Sequence, residues 1–105
     1  MPKGEWLIYE GARFTIEWGP TENGRCQAQE YYQGMDVGDQ ARASALFARM
    51  GDQGKIFDET KFRQETDKLF VFKPQPHRFF CFFVKGKRVI IVTAYRKQGE
   101  KAPQR

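Results

Sequence analysis

The sequence predicts an α+β domain in which a helical hairpin packs on a twisted antiparallel sheet of about four strands. Three observations carry this. The apolar runs Lys68–Phe72, Arg78–Val84 and Arg88–Tyr95 follow one another through links so short that antiparallel neighbours are required. Arg13–Trp18 alternates, putting Phe14, Ile16 and Trp18 on one face. Between these, Ala43, Leu46, Phe47 and Met50 recur at the three-and-four spacing of a buried helical stripe. At 105 residues the chain suits one domain with a single core.

Taken in order, Met1–Gly11 contains Trp6-Leu7-Ile8-Tyr9, an apolar run suited to an edge strand or an arm on the core. Arg13–Trp18 is a half-buried strand that stops at Gly19-Pro20. Asn23 is placed to cap a helix over Arg25–Gln33, with Ala28, Tyr31, Tyr32 and Met35 as its packing face and Gly34 at its end. Asp36 caps a second helix over Val37–Met50, where Asp39 complements the positive end of the dipole and Gly51 is the natural stop. Asp52-Gln53-Gly54 is a turn, and Asp58–Arg63 reads as one helical turn with Phe62 as an anchor. Pro74-Gln75-Pro76 lacks two backbone donors and separates the first two strands of the meander. Lys85-Gly86-Lys87 turns the chain between the last two. Gln98–Arg105 is a polar tail expected to leave the core.

Charge is unevenly spread. From Lys61 onward twelve Lys/Arg face three acids, a net +9, while residues 1–60 carry six bases and ten acids, a net −4. Such asymmetry points to a polyanionic partner on one surface, because cations that neutralise phosphates release counterions. Without such a partner the same cations would simply solvate the surface. No run of eighteen apolar residues and no charged-then-apolar leader occurs, so neither a membrane span nor a secretory signal is expected and the cytosol is the expected location. Cys26 and Cys81 share no metal-ligand spacing and read as buried free thiols.

The chain lacks a Gly-x-Ser-x-Gly elbow, a phosphate-binding loop ending in Lys-Ser/Thr, and a helix bearing two His ligands. With one His, a His-based metal centre is not expected, and no cofactor is implied. Phosphoryl chemistry on RNA needs neither, since the 2′-hydroxyl is a built-in nucleophile. A site must then deprotonate it, neutralise the phosphorane and protonate the leaving 5′-oxygen. The strand ends offer His77, Arg78, Lys85, Lys87, Arg88, Tyr95, Arg96 and Lys97. Each has a plainer alternative: a solvated loop for His77, an ion pair with Glu65 or Asp67 for Arg78, core packing for Tyr95, ordinary turn exposure for Lys85 and Lys87.

Leu69-Phe-Val-Phe-Lys73, Pro76-His-Arg-Phe-Phe80, Val89-Ile-Ile-Val-Thr-Ala-Tyr-Arg-Lys97 and Lys101-Ala-Pro103 together resemble the RelE/ParE superfamily of toxins, nearest its HigB-like, phage-associated branch. The resemblance spans about residues 12–103. It implies a RelE-like fold and a ribosome-associated endoribonuclease that cleaves messenger RNA and is neutralised by a cognate antitoxin protein. Carried over by residue, Arg78 would contact the scissile phosphate, Tyr95 would stack on a base, and Lys97 would stabilise transition-state charge. Lys73 would be the basic residue closing the earlier strand. Lys85, Lys87, Arg88 and Arg96 are further RNA-binding candidates. Two positions depart from the branch: Thr93 stands where relatives often carry His, and Gln98 replaces a second Lys. Proton transfer then falls to His77, to a cation or to Tyr95, or else the chain is a weak or inactive relative. A ParE-like toxin acting on DNA gyrase and a non-catalytic RNA- or ribosome-binding domain are the alternatives. Of Phe79, Phe80, Phe82 and Phe83, one alternating set belongs to the core, and the other needs cover from helices, antitoxin or RNA.

Overall fold

The computed structural model describes residues 3–98, so the expected tail beyond Gln98, with its Lys101-Ala-Pro103 segment, lies outside the described residues. The elements in chain order are α1 (Lys3–Trp6), β1 (Leu7–Glu10), β2 (Thr15–Trp18), α2 (Gln27–Gln33), α3 (Val37–Gln53), β3 (Phe62–Gln64), β4 (Phe70–Phe72), β5 (His77–Val84) and β6 (Arg88–Arg96). They form one sheet in the order β1-β2-β6-β5-β4-β3.

The expectation of a helical hairpin on about four antiparallel strands is corrected here. The sheet has six strands and is mixed, because β2 runs parallel to β6, with Ile16 opposite Val89 and Trp18 opposite Ile91. Alternation in Arg13–Trp18 marks a buried face but says nothing of which strand lies beside it. Of the two edges, β1 is the edge strand that the Trp6–Tyr9 run suggested, whereas β3 is three residues long, too short for periodicity to register. Nor do the helices act as one hairpin: α2 lies against β6, and α3 against β1, β2 and β4.

Three local expectations change for local reasons. Asn23 does not cap a helix; its Oδ1 accepts from Thr21 Oγ1 and the Arg25 N–H inside a turn, and α2 starts one residue after Cys26. Helix α3 continues through Gly51 and ends at Gly54, which takes φ 80 and donates its N–H to Met50 O. Gly51 serves instead as a contact, its carbonyl accepting the N–H groups of Arg13 and Phe14 at 2.8 and 2.9 Å. A Cβ on Gly11 would lie 2.2 Å from the Gly51 carbonyl carbon, so this approach is backbone against backbone. Finally, Asp58 Oδ1 closes a turn on Thr60, and Phe62–Gln64 is a strand rather than a helical turn.

One core joins the helices to one face of the sheet. Phe47 is its centre, fully buried, with its ring 5.0 Å from Phe72, 5.5 Å from Phe79 and 6.1 Å from Trp18, all near-perpendicular. Such contacts add to the ~1.5–3 kcal/mol expected from burying a Phe side chain. On β5 the residues toward the helices are His77, Phe79 and Cys81, and Arg78, Phe80 and Phe82 point to the opposite face.

Candidate functional site

That opposite face, at the end of β5 where Arg78 begins its run, collects the cations. Residues directly opposed in an antiparallel ladder share a face. Arg78 stands opposite Tyr95, Phe80 opposite Val71, and Arg63 opposite Val71. Tyr95 is 51% exposed and its ring meets Phe80 edge-on at 5.7 Å, so one face of a flat aromatic remains open to solvent. Lys73 follows Val71 by two residues and so leaves on the same side. Lys97 follows Tyr95 by two, and its N–H donates to Pro76 O at 2.8 Å, extending the β5–β6 pairing past the strand.

The charges in this cluster repel one another. Partial burial, then the neighbouring Arg63 and Arg78, holds the Lys73 ammonium pKa below its usual range, opposed by Glu65 and Glu59. Lys73 Nζ donates to Glu59 O at 2.8 Å, and Arg63 pairs with Glu65 at 3.0 Å. Arg78 Nη1 donates to Gln75 Oε1 at 3.0 Å and to His77 O at 3.1 Å. Both acceptors are neutral. Arg78 makes no ion pair among the described residues, with Glu65, Asp67 or any other carboxylate.

His77 lies beneath this surface rather than on it, at 5% exposure. Its Nδ1 is 2.7 Å from Tyr31 Oη and its Nε2 is 2.8 Å from Asp39 Oδ2. An ionised carboxylate only accepts, so Nε2 carries a proton; in the neutral ring Nδ1 then accepts from the Tyr31 hydroxyl. Asp39 also receives Arg42 Nη1 at 2.9 Å, and these two donors, His77 first, hold its carboxyl below the usual range. Burial raises the Tyr31 phenol.

The remaining candidates lie elsewhere. Arg96 is opposite His77 on the helix side, where its charge acts on Tyr31. Lys85 and Lys87 sit in the β5–β6 turn, Lys87 and Gly86 both with positive φ, about 20 Å along the strand from Arg78 at ~3.3 Å per residue. Arg88 is held there by Glu17 through two bonds of 2.8 and 2.9 Å. At that end too lies an open hollow lined by Lys68, Leu69, Phe70, Phe82 and Phe83. Thr93 donates to Gln27 Oε1 at 3.0 Å, and the same oxygen accepts the Ala94 N–H at 2.6 Å, so this hydroxyl is tied to α2.

Arg63 is the residue that sequence reasoning missed. Its signal was slight: Phe62 as a core anchor turns the next side chain to the opposite face only if the segment is a strand. Gln75 and Arg42, which hold the loop beside Arg78, carry no signal in sequence.

Arg63, Lys73 and Arg78 lie near enough to act on one another, and Tyr95 stands opposite Arg78, an arrangement of cations beside an aromatic ring that suits a phosphate and a base. Among the described residues no group of three His, Cys, Asp or Glu side chains is placed to hold a metal ion, and no helix is long and apolar enough to cross a membrane. Compared with known proteins, the chain matches no protein-family model and no curated protein sequence.

Proposed function

We propose that this chain is the toxin of a type II toxin–antitoxin pair, a metal-independent endoribonuclease that cuts messenger RNA on the ribosome. The observation that carries the reading is the opposition of Arg78 and Tyr95 on the uncovered face, beside Lys73 and Arg63. Among the described residues no carboxylate pairs with Arg78, whose positive charge suits the scissile phosphate. Tyr95 offers a stacking surface for an unpaired base, as single-stranded RNA recognition requires. Lys73 and Lys97 add the charge that a pentavalent phosphorane needs.

In the reaction the 2′-oxygen bonds to phosphorus as the bond to the 5′-oxygen breaks. The 2′-hydroxyl proton passes to Tyr95 as its phenolate, to a site lysine in its neutral form or to water, and the leaving oxygen takes a proton from a cation such as Lys73. The products are a 2′,3′-cyclic phosphate and a 5′-hydroxyl. In this reading His77 supports the loop from below. Such a protein would work in the cytosol beside the ribosome, held in check by an antitoxin.

A second reading, a non-catalytic RNA- or ribosome-binding domain, is favoured by the burial of His77 and by Thr93 standing tied to Gln27. Expressing the chain with and without its neighbouring gene, and mapping transcript ends, separates the two. Growth arrest with new 5′-hydroxyl ends supports the nuclease; arrest with intact transcripts overturns it.

A further inference from the structure

We infer that the Asp39–Arg42 pair of α3, together with Gln75, positions the Arg78 guanidinium, so that a helix on the far side of the sheet sets the geometry of the phosphate contact. This rests on the reading of Arg78 as that contact. Arg78 is held by two oxygens, Gln75 Oε1 and His77 O. Each belongs to a residue that α3 grips. Arg42 Nη2 donates to the Gln75 carbonyl at 2.6 Å, and Asp39 Oδ2 accepts from His77 Nε2 at 2.8 Å. Arg42 and Asp39 are themselves joined at 2.9 Å, one turn apart on the helix. The loop from Gln75 to His77 is therefore clamped at both ends by a single ion pair, and Gln75 Nε2 ties it further to Thr60 O at 3.2 Å.

The arrangement solves a particular problem. A guanidinium fixed by a carboxylate spends its charge on that partner, whereas one left free has to be ordered by substrate. Here the orientation comes from neutral oxygens through Nη1 alone. Nε and Nη2 have no partner among the described residues and keep the fork that matches two phosphate oxygens. An isolated Asp–Arg pair on a helix surface would need no such reach. Arg42 extends past Asp39 to a main-chain carbonyl 33 residues away in sequence.

The test uses the full chain with Gln75→Met, Arg42→Met and Arg42→Lys. Lysine keeps the charge, but its N–H groups share one nitrogen, whereas Arg42 reaches Asp39 and the Gln75 carbonyl through two. Cleavage of a messenger RNA on ribosomes is measured alongside the Arg78 Nε–Hε signal by NMR. The expected result is a fall in kcat of about 10- to 100-fold, as slight misplacement of a reacting group costs, with KM within about twofold. The Arg78 signal should broaden in all three variants while the thermal midpoint holds. An unchanged Arg78 signal overturns the inference, and so does wild-type kcat in the variants. If wild type and Arg78→Ala both leave RNA intact, the nuclease reading falls, and the NMR signal still decides whether Arg42 and Gln75 order Arg78.

Discussion

Arg78 stands directly across the β5–β6 ladder from Tyr95, on the face of the sheet that the helices leave open. A point charge and an exposed ring are thereby fixed side by side, as a nucleotide's phosphate and base are. Removing the charge should separate chemistry from folding. Arg78→Ala and Lys97→Ala are each expected to lower RNA cleavage about 10²- to 10³-fold and to abolish growth arrest. Stability in urea should stay within about 0.5 kcal/mol of wild type, as for surface changes generally.

Tyr95 tests the stacking half of the site. Tyr95→Phe keeps the ring and should retain affinity for single-stranded RNA, whereas Tyr95→Ala should lose about 1–3 kcal/mol of binding, read by fluorescence anisotropy. If the phenylalanine variant binds as well but does not cut, the hydroxyl takes part in proton transfer.

His77 tests the opposite expectation. Its buried ring joins Tyr31 to Asp39, so His77→Ala leaves a void and takes the partner from a half-buried hydroxyl, and should cost about 1–3 kcal/mol in urea denaturation. Arg78→Ala, one residue away, should not.

Lys73 gives a pH dependence whose sign follows from its surroundings. Its folded pKa is lowered, so between that value and the unfolded value near ~10.4 the unfolded chain binds more protons. Stability contributed by this group therefore rises with pH across that window. The thermal midpoint of wild type relative to Lys73→Met should move in favour of wild type as pH is raised from 8 toward 10.5. A gap that stays constant would show that neither burial nor the neighbouring Arg63 and Arg78 lowers the Lys73 pKa.

The parts legible in sequence were those with dense local signals. The Phe, Val and Ile runs of β4, β5 and β6 with short links define their antiparallel pairing, and the stripe from Ala43 to Met50 defines the buried side of α3. Pairing between β2 and β6 was not legible, because no turn joins Trp18 to Ile91 and alternation names a face without naming a neighbour. Within the site, Arg78 and Tyr95 could be set together from the links between strands. The length of β5 was the overlooked quantity: eight residues put Lys85 and Lys87 at one end of the ribbon and Arg78 at the other. The burial of His77 depends on Tyr31 and Asp39, both distant in sequence, and a residue following Pro76 reads as a loop exit until those partners are placed.

The most direct test of the central claim is end-mapping of a messenger RNA incubated with purified chain and ribosomes in the presence of a chelator. Wild type should give fragments with 2′,3′-cyclic phosphate and 5′-hydroxyl ends, and Arg78→Ala almost none. Intact RNA with wild type, or equal cutting by the two proteins, would contradict it.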